Sequence, residues 1–153
     1  MSAKFAENRK AHFNYEILEK ITAGIELLGF EVKAIKAGQM SLDGAYVVIR
    51  GNEAFLIGTS ITPLQPKNIP ASFNYDERRN RKLLLTKKEI NYLSGKEKQN
   101  GLTIVALSVY NIGRKIKVEL GLAKGKKKSD KRESIKKRES DREIDRTLKQ
   151  HAD

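Results

Sequence analysis

The stretch LTIVALSVYNIGRKIKVELGL, residues 102–122, decides the fold. In its second half Ile116, Val118, Leu120 and Leu122 alternate with Lys115, Lys117, Glu119 and Gly121. That period of two turns one side of a strand toward a core and the other toward water. Residues 102–110 form a second strand-like run, and Asn111, Ile112 and Gly113 between the two carry turn chemistry. The reading is an antiparallel hairpin that turns at 111–113.

Outward from this hairpin the punctuation is equally informative. Thr86 and Glu89 have the spacing of a capping box, and Leu85 and Ile90 that of a hydrophobic staple. A helix therefore starts at Thr86 and runs through Leu93, with Gly95 a candidate stop or break before Gly101. Residues 45–50 and 53–59 read as another hairpin, joined by Gly51 and Asn52. Both faces of its strands are apolar, so one looks into a core and the other is expected beneath a helix or a neighbouring chain. Leu28, Val32 and Ile35 fall on one face of a helix that Gly38 is placed to end, with Lys33 and Lys36 on its exposed side. Residues 15–18 and 21–27 suit short strands, with Gly24 as a bend or bulge. Residues 61–82 hold all three prolines and read as a long connection.

Two hairpins, a further strand and two or three short helices predict a mainly β fold, a small antiparallel barrel of the OB-fold type. Periodicity alone leaves a two-layer α+β sandwich open. The expected organisation is a flexible arm at 1–14, the barrel at 15–123 and a basic tail at 124–153. The tail holds 12 Lys or Arg against 7 Asp or Glu, with Ile135, Ile144 and Leu148 its only large apolar residues. Such a segment cannot offset its ordering entropy by burying itself, so it is expected to be disordered when free and to order only on a large anionic partner.

The whole chain, 153 residues with a net charge of +12, points to the same kind of partner. It has no Cys, which excludes a disulfide framework and suits a reducing cytoplasm. No apolar run is long enough to span a bilayer, so no membrane association is expected. Catalysis finds no constellation. His12 and His151 are isolated, and the pairs Glu16 with Glu19 and Asp141 with Asp145 have basic neighbours. Gly121 and Gly125 ahead of Lys126 and Lys127 lack the spacing and the Ser or Thr of a Walker A loop. No catalytic residue, metal ligand or cofactor is assigned. Nucleic-acid chemistry is better represented: Arg78, Arg79, Arg81 and Lys82 follow Phe73 and Tyr75, placing cations that grip phosphates beside rings that stack on bases. Arg9, Lys10, Lys33 and Lys36 extend this charge.

Several stretches together resemble the SsrA-binding (SmpB) family of bacterial trans-translation. They are Asn8-Arg9-Lys10-Ala11, Ala23-Gly24-Ile25, Gly29-Phe30-Glu31-Val32-Lys33, Arg81-Lys82-Leu83-Leu84-Leu85, and Leu122-Ala123-Lys124-Gly125-Lys126-Lys127 leading to Asp130-Lys131-Arg132. The resemblance implies an OB-fold protein that binds the tRNA-like domain of tmRNA and delivers it to stalled ribosomes. It also implies a cytoplasmic monomer whose tail reaches the decoding site and enters the message channel as a helix, and an indirect association with elongation factor Tu through aminoacylated tmRNA. Asn8, Arg9, Lys10, Thr22, Gly24, Lys33, Lys36, Arg79, Arg81, Lys82 and Leu84 are the RNA-binding candidates. Gly125, Lys126, Lys127, Asp130, Lys131, Arg132, Lys136, Arg138 and Arg142 are the ribosome-binding candidates.

The chain departs from the family pattern at Thr22, where an acidic residue is common, at Phe13 in place of His, at Glu77 in place of proline, and at Ser129 before the Asp-Lys-Arg motif. Two other classes remain on residue chemistry alone. One is a ribosomal or cold-shock-like OB module, which would bind RNA without selecting one species. The other is a peripheral protein with its basic tail on anionic lipid, for which the tail lacks an apolar helix face.

Overall fold

A computed structural model of the chain describes residues 3–64, 69 and 74–126. The hairpin that decided the fold is its longest feature, pairing Thr103–Ile112 with Lys115–Gly125 from Ile112 opposite Lys115 back to Thr103 opposite Ala123. Its turn is Gly113-Arg114, starting two residues later than the expected 111–113, with Gly113 at φ 60°. Asn111 stays in the strand opposite Ile116, and its side-chain Nδ2 donates to the Gly113 carbonyl at 2.9 Å, serving the turn from inside the ladder.

In chain order the elements are β1 (Lys4–Glu7), α1 (Arg9–Asn14), β2 (Tyr15–Ile25), α2 (Gly29–Lys36), β3 (Met40–Ser41), β4 (Tyr46–Arg50), β5 (Glu53–Ile57), β6 (Ser60–Ile61), β7 (Arg81–Leu84), α3 (Lys87–Asn100), β8 (Thr103–Ile112) and β9 (Lys115–Gly125). The main sheet runs β1-β8-β4-β5-β7-β2-β9, and β9 pairs again with β8. The path β8-β4-β5-β7-β2-β9 therefore closes on itself, entirely antiparallel. This closure makes the molecule an OB-like barrel and rules out the open two-layer sandwich. β3 and β6 form a separate two-stranded ribbon.

β9 alternates as expected, with Ile116, Val118, Leu120 and Leu122 in the core. β8 does not alternate, because both of its faces are covered. Ile104, Ala106 and Val109 pack inside the barrel, whereas Val105 and Leu107 join Ala11 and Ala123 in a second cluster under α1. This accounts for the unbroken apolar run of β8. It also accounts for Gly121, where a Cβ would stand 2.9 Å from Leu107 Cδ1 and 3.2 Å from Ile17 Cγ2.

Residues 4–14, expected within the arm, form β1, the Asn8 cap and α1. Residues 4–7 pair with 108–110 of β8, and Asn8 caps α1 with its Oδ1, accepting from the Ala11 N–H at 3.3 Å. The same side chain donates to the Ala106 carbonyl at 2.9 Å, and the Asn8 N–H to the Leu107 carbonyl at 2.8 Å. A six-residue helix with Ala11 as its only buried residue has no visible periodicity, so its single sequence signal was the cap.

β2 is one strand rather than two, and its irregularity falls between Ile17 and Glu19, leaving Leu18 exposed, not at Gly24. β9 pairs with β2 as far as Gly125 opposite Tyr15, so the barrel extends past the expected boundary at 123. α2 ends as expected at Gly38, φ 81°, and buries Ala34 and Ile35. The Thr86–Glu89 capping box closes α3, which passes Gly95 and stops at Gly101, φ 61°. Among the described residues no helix covers the outer face of the β4–β5 hairpin: Tyr46 is exposed, while Val48, Phe55 and Ile57 are half-buried around a hollow of about 160 Å³ that Arg50 and Asn80 also line.

Candidate nucleic-acid interface

The basic segment before β7 is organised by one carboxylate. Glu31 is the third residue of α2, fully buried, and its Oε1 accepts the Leu28 N–H at 2.8 Å, closing the start of the helix. Arg79 Nη2 donates to the same oxygen. Oε2 accepts from Tyr75 OH at 2.8 Å, Arg79 Nε at 3.2 Å, and Arg81 Nη2 and Nε at 2.7 and 3.0 Å. Burial pushes the Glu31 carboxyl up, but the bonds from Arg79, the Leu28 N–H, Arg81 and Tyr75 together outweigh it and hold the group below its ordinary value. Burial, then the hydrogen bond to Glu31, push Tyr75 up to about 12. The Tyr75 ring also stands edge-on to Phe30 of α2, with centroids 4.8 Å apart.

Arg81 is thereby removed from the phosphate-gripping set. It is fully buried, and beyond Glu31 it donates to Thr59 Oγ1, Tyr75 OH and the carbonyls of Glu77 and Arg79 at 2.9–3.1 Å. No face of its guanidinium is open to RNA. Arg79 is largely committed to Glu31, with its side chain 29% exposed. Lys82 points outward, 3.5 Å from Glu53. The alternation of β7 carried this information: Arg81 and Leu83 turn in, Lys82 and Leu84 turn out.

Leu84 is 54% exposed, and it lies over Gly24, where a Cβ would stand 3.1 Å from its own Cβ. Gly24 is therefore a buried seat that lets β7 approach β2, and Leu84 is surface. Strand register continues the outer face from Leu84 through Gly24 to Lys117 and Tyr110, and one step along it Thr22 Oγ1 lies 3.0 Å from Tyr110 OH. Tyr110 and Lys117 were not among the candidates, although the alternation of β9 had already turned Lys117 to the wet face. Lys33 and Lys36 are exposed on α2, which follows this end of β2.

The remaining candidates sit at the other end of β2. Arg9 and Lys10 are exposed on α1, and Asn8, which is buried, positions that helix. Gly125 ends β9 there, with the Lys126 N–H on the Asn14 carbonyl at 3.0 Å and Lys126 Nζ on the His12 carbonyl at 3.2 Å. A cavity of about 350 Å³ opens beside them, lined by residues of α1, the starts of β2 and β8, and the chain entering β4. Tyr15 and Gly24 are nine residues apart along β2, about 30 Å. The expected RNA surface is thus two basic regions, not one. Lys127, Asp130, Lys131, Arg132, Lys136, Arg138 and Arg142, like Phe73 and Ser129, lie outside the described residues.

Among the described residues no cluster of His, Asp or Glu could hold a metal ion, and no helix is long and apolar enough to cross a membrane. The profile of a family described as SmpB protein matches residues 5–150. The SsrA-binding protein of Acetivibrio thermocellus is 51% identical over 146 residues, covering 95% of this chain and 93% of that protein. That of Gloeothece citriformis is 50% identical over 143 residues, 94% of this chain and 91% of the relative. A chain from the solved structure "tmRNA-SmpB: a journey to the center of the bacterial ribosome" superposes with a TM-score of 0.64 at 42% identity, covering 84% of this chain and 92% of that one.

Proposed function

This chain belongs to the SmpB protein family, and from that membership we propose that it binds the tRNA-like domain of tmRNA and carries it to stalled ribosomes for trans-translation. The observation that carries the reading is the extent of the likeness, which spans the barrel and most of the basic tail together. A general RNA-binding barrel would need only the first of these. The family is one of RNA-binding proteins; we assign this member no catalysis, a cytoplasmic location and a monomeric state, with elongation factor Tu met only through the RNA.

The two ends of β2 suggest the division of labour. The Leu84 end, with Thr22, Lys82, Lys33, Lys36 and part of Arg79 around a firm sheet surface, takes the tRNA-like domain. The tail takes the ribosome, beginning at Gly125 and Lys126 and reaching through Lys127, Asp130, Lys131, Arg132, Lys136, Arg138 and Arg142. In this reading the barrel, which starts at β1, and the tail meet at Gly125 and Lys126.

A purified translation system stalled on a message without a stop codon tests this. A chain ending at Lys126 keeps every described strand pair, so it should bind the tRNA-like domain with unchanged affinity yet fail to tag the stalled peptide. Normal tagging would reduce the tail to a solubilising end. Equal affinity for the tRNA-like domain and for bulk ribosomal RNA would favour the general OB module.

A further inference from the structure

The outer face of the β4–β5 hairpin lies apart from both ends of β2. Its outward residues face each other in register, Val48 with Phe55 and Arg50 with Glu53. Val48, Phe55 and Ile57, with Arg50 and Asn80, line the hollow of about 160 Å³, and no residue of α1 or β2 does. Pockets that enclose a whole small molecule are larger, roughly 300–1,000 Å³. This one has room for a single flat ring, with the rest of its owner outside.

The polar groups at its rim are uncommitted. Glu53 stands opposite Arg50 but turns to Lys82 at 3.5 Å, so Arg50 has no ion pair among the described residues. The Asn80 side-chain amide likewise has no hydrogen-bond partner among the described residues, and both side chains belong to exposed residues. An unused amide reads the hydrogen-bonding edge of a base, an unpaired guanidinium holds a phosphate, and a half-buried phenyl ring between them is a stacking platform. An aliphatic protein side chain would use Val48 and Ile57 but leave the amide facing apolar surface, which costs a hydrogen bond.

Position names the occupant. Phe55 pairs with Lys82 of β7, so it stands one strand, about 5 Å, and two residues, about 7 Å, from Leu84. The hollow therefore continues the surface assigned to the tRNA-like domain around the barrel. We infer that it is a base pocket of that RNA: one unstacked base inserts over Phe55, its edge read by Asn80 and its phosphate held by Arg50. The inference rests on the proposed function and adds a source of selectivity to it. Phosphate contacts at Lys82, Lys33 and Lys36 carry no sequence information, whereas a base edge does.

The test uses the full chain and a transcript of the tRNA-like domain. Phe55→Leu keeps an apolar side chain and removes the ring, and it should weaken binding about tenfold, the usual effect of losing one stacked base. Phe55→Tyr keeps the ring and should bind within twofold of the original chain. Asn80→Ala changes an exposed side chain with no internal bond to lose, so its expected loss of about threefold to tenfold does not come from the fold. Should Phe55→Leu unfold, Asn80→Ala takes its place. Transcripts that each carry one abasic nucleotide at an unpaired position then identify the base. One of them should bind the original chain about tenfold less tightly, yet bind Phe55→Leu no worse than the intact transcript does, because both changes delete the same contact. Losses that simply add at every abasic position overturn the pocket, as does binding of the intact transcript by Phe55→Leu and Asn80→Ala equal to that of the original; both leave the proposed function standing. An original chain that does not bind the transcript overturns the proposed function and the pocket with it.

Discussion

The two ends of β2 are both basic, and they are braced by opposite means. At the Leu84 end a buried carboxylate gathers two guanidiniums and a phenol, so the segment from Tyr75 to Arg81 is fixed by charge. At the α1 end a neutral amide does the equivalent work, Asn8 capping the helix with one atom and gripping β8 with the other. Arg81 and Arg9 look alike in a charge count, yet one is a girder inside the fold and the other is free to meet phosphate. An ionic brace is strong only while every member is present and charged, whereas the amide brace is weaker and indifferent to pH.

Glu31→Ala should break this comparison most forcefully. It leaves Arg81 buried with its main counter-charge gone, a loss of about 3–5 kcal/mol by denaturant titration. The same brace predicts an acid limb. The folded Glu31 carboxyl is held below its ordinary 4.5, so its contribution is complete above that value and is lost as pH falls through the folded value. Melting temperatures below about pH 4.5 should therefore fall more steeply for the original chain than for Glu31→Gln. Parallel curves would show that the carboxylate brace does not govern the acid limb.

The amide brace should give less. Asn8→Ala removes the α1 cap and leaves the Ala106 carbonyl without its side-chain donor, together about 2 kcal/mol. Its pH profile should run parallel to that of the original chain. Hydrogen exchange should show the loosening confined to α1 and its contacts, with α2 still protected. Equal loosening at both ends would mean that the two braces are not separate.

How far this was legible follows from what each signal depends on. The β9 alternation, the Gly51 turn and the Thr86–Glu89 box are local, and they emerged as expected. β8 was read as a strand, but why it is apolar throughout depends on α1 covering its second face, a contact between residues about a hundred positions apart. The Glu31 cluster was missed for the same reason: its partners come from α2, from Thr59 and from residues 75–81. Basic residues were counted by proximity in sequence, which does not reveal which cation finds a buried carboxylate. In β7 the period of two was present and would have separated Arg81 from Lys82.

The smallest structural effect belongs to Leu84, and it is the sharpest test of which surface meets RNA. Read from sequence alone, Leu84→Asp could act through the core or through a contact face. In the fold the side chain is 54% exposed on the outer sheet, above a glycine that leaves no room beneath it. A carboxylate there stays in water, so stability should change by no more than about 0.5 kcal/mol. Affinity for the tRNA-like domain should nevertheless fall at least about tenfold, because a negative charge replaces apolar contact beside Lys82 and Lys117, where phosphates would approach. Leu84→Met, which keeps the apolar surface, should bind almost normally. A fall in melting temperature matching that of Asn8→Ala would return Leu84 to the core, and unchanged binding by the folded Asp variant would move the tRNA-like domain off this end of β2.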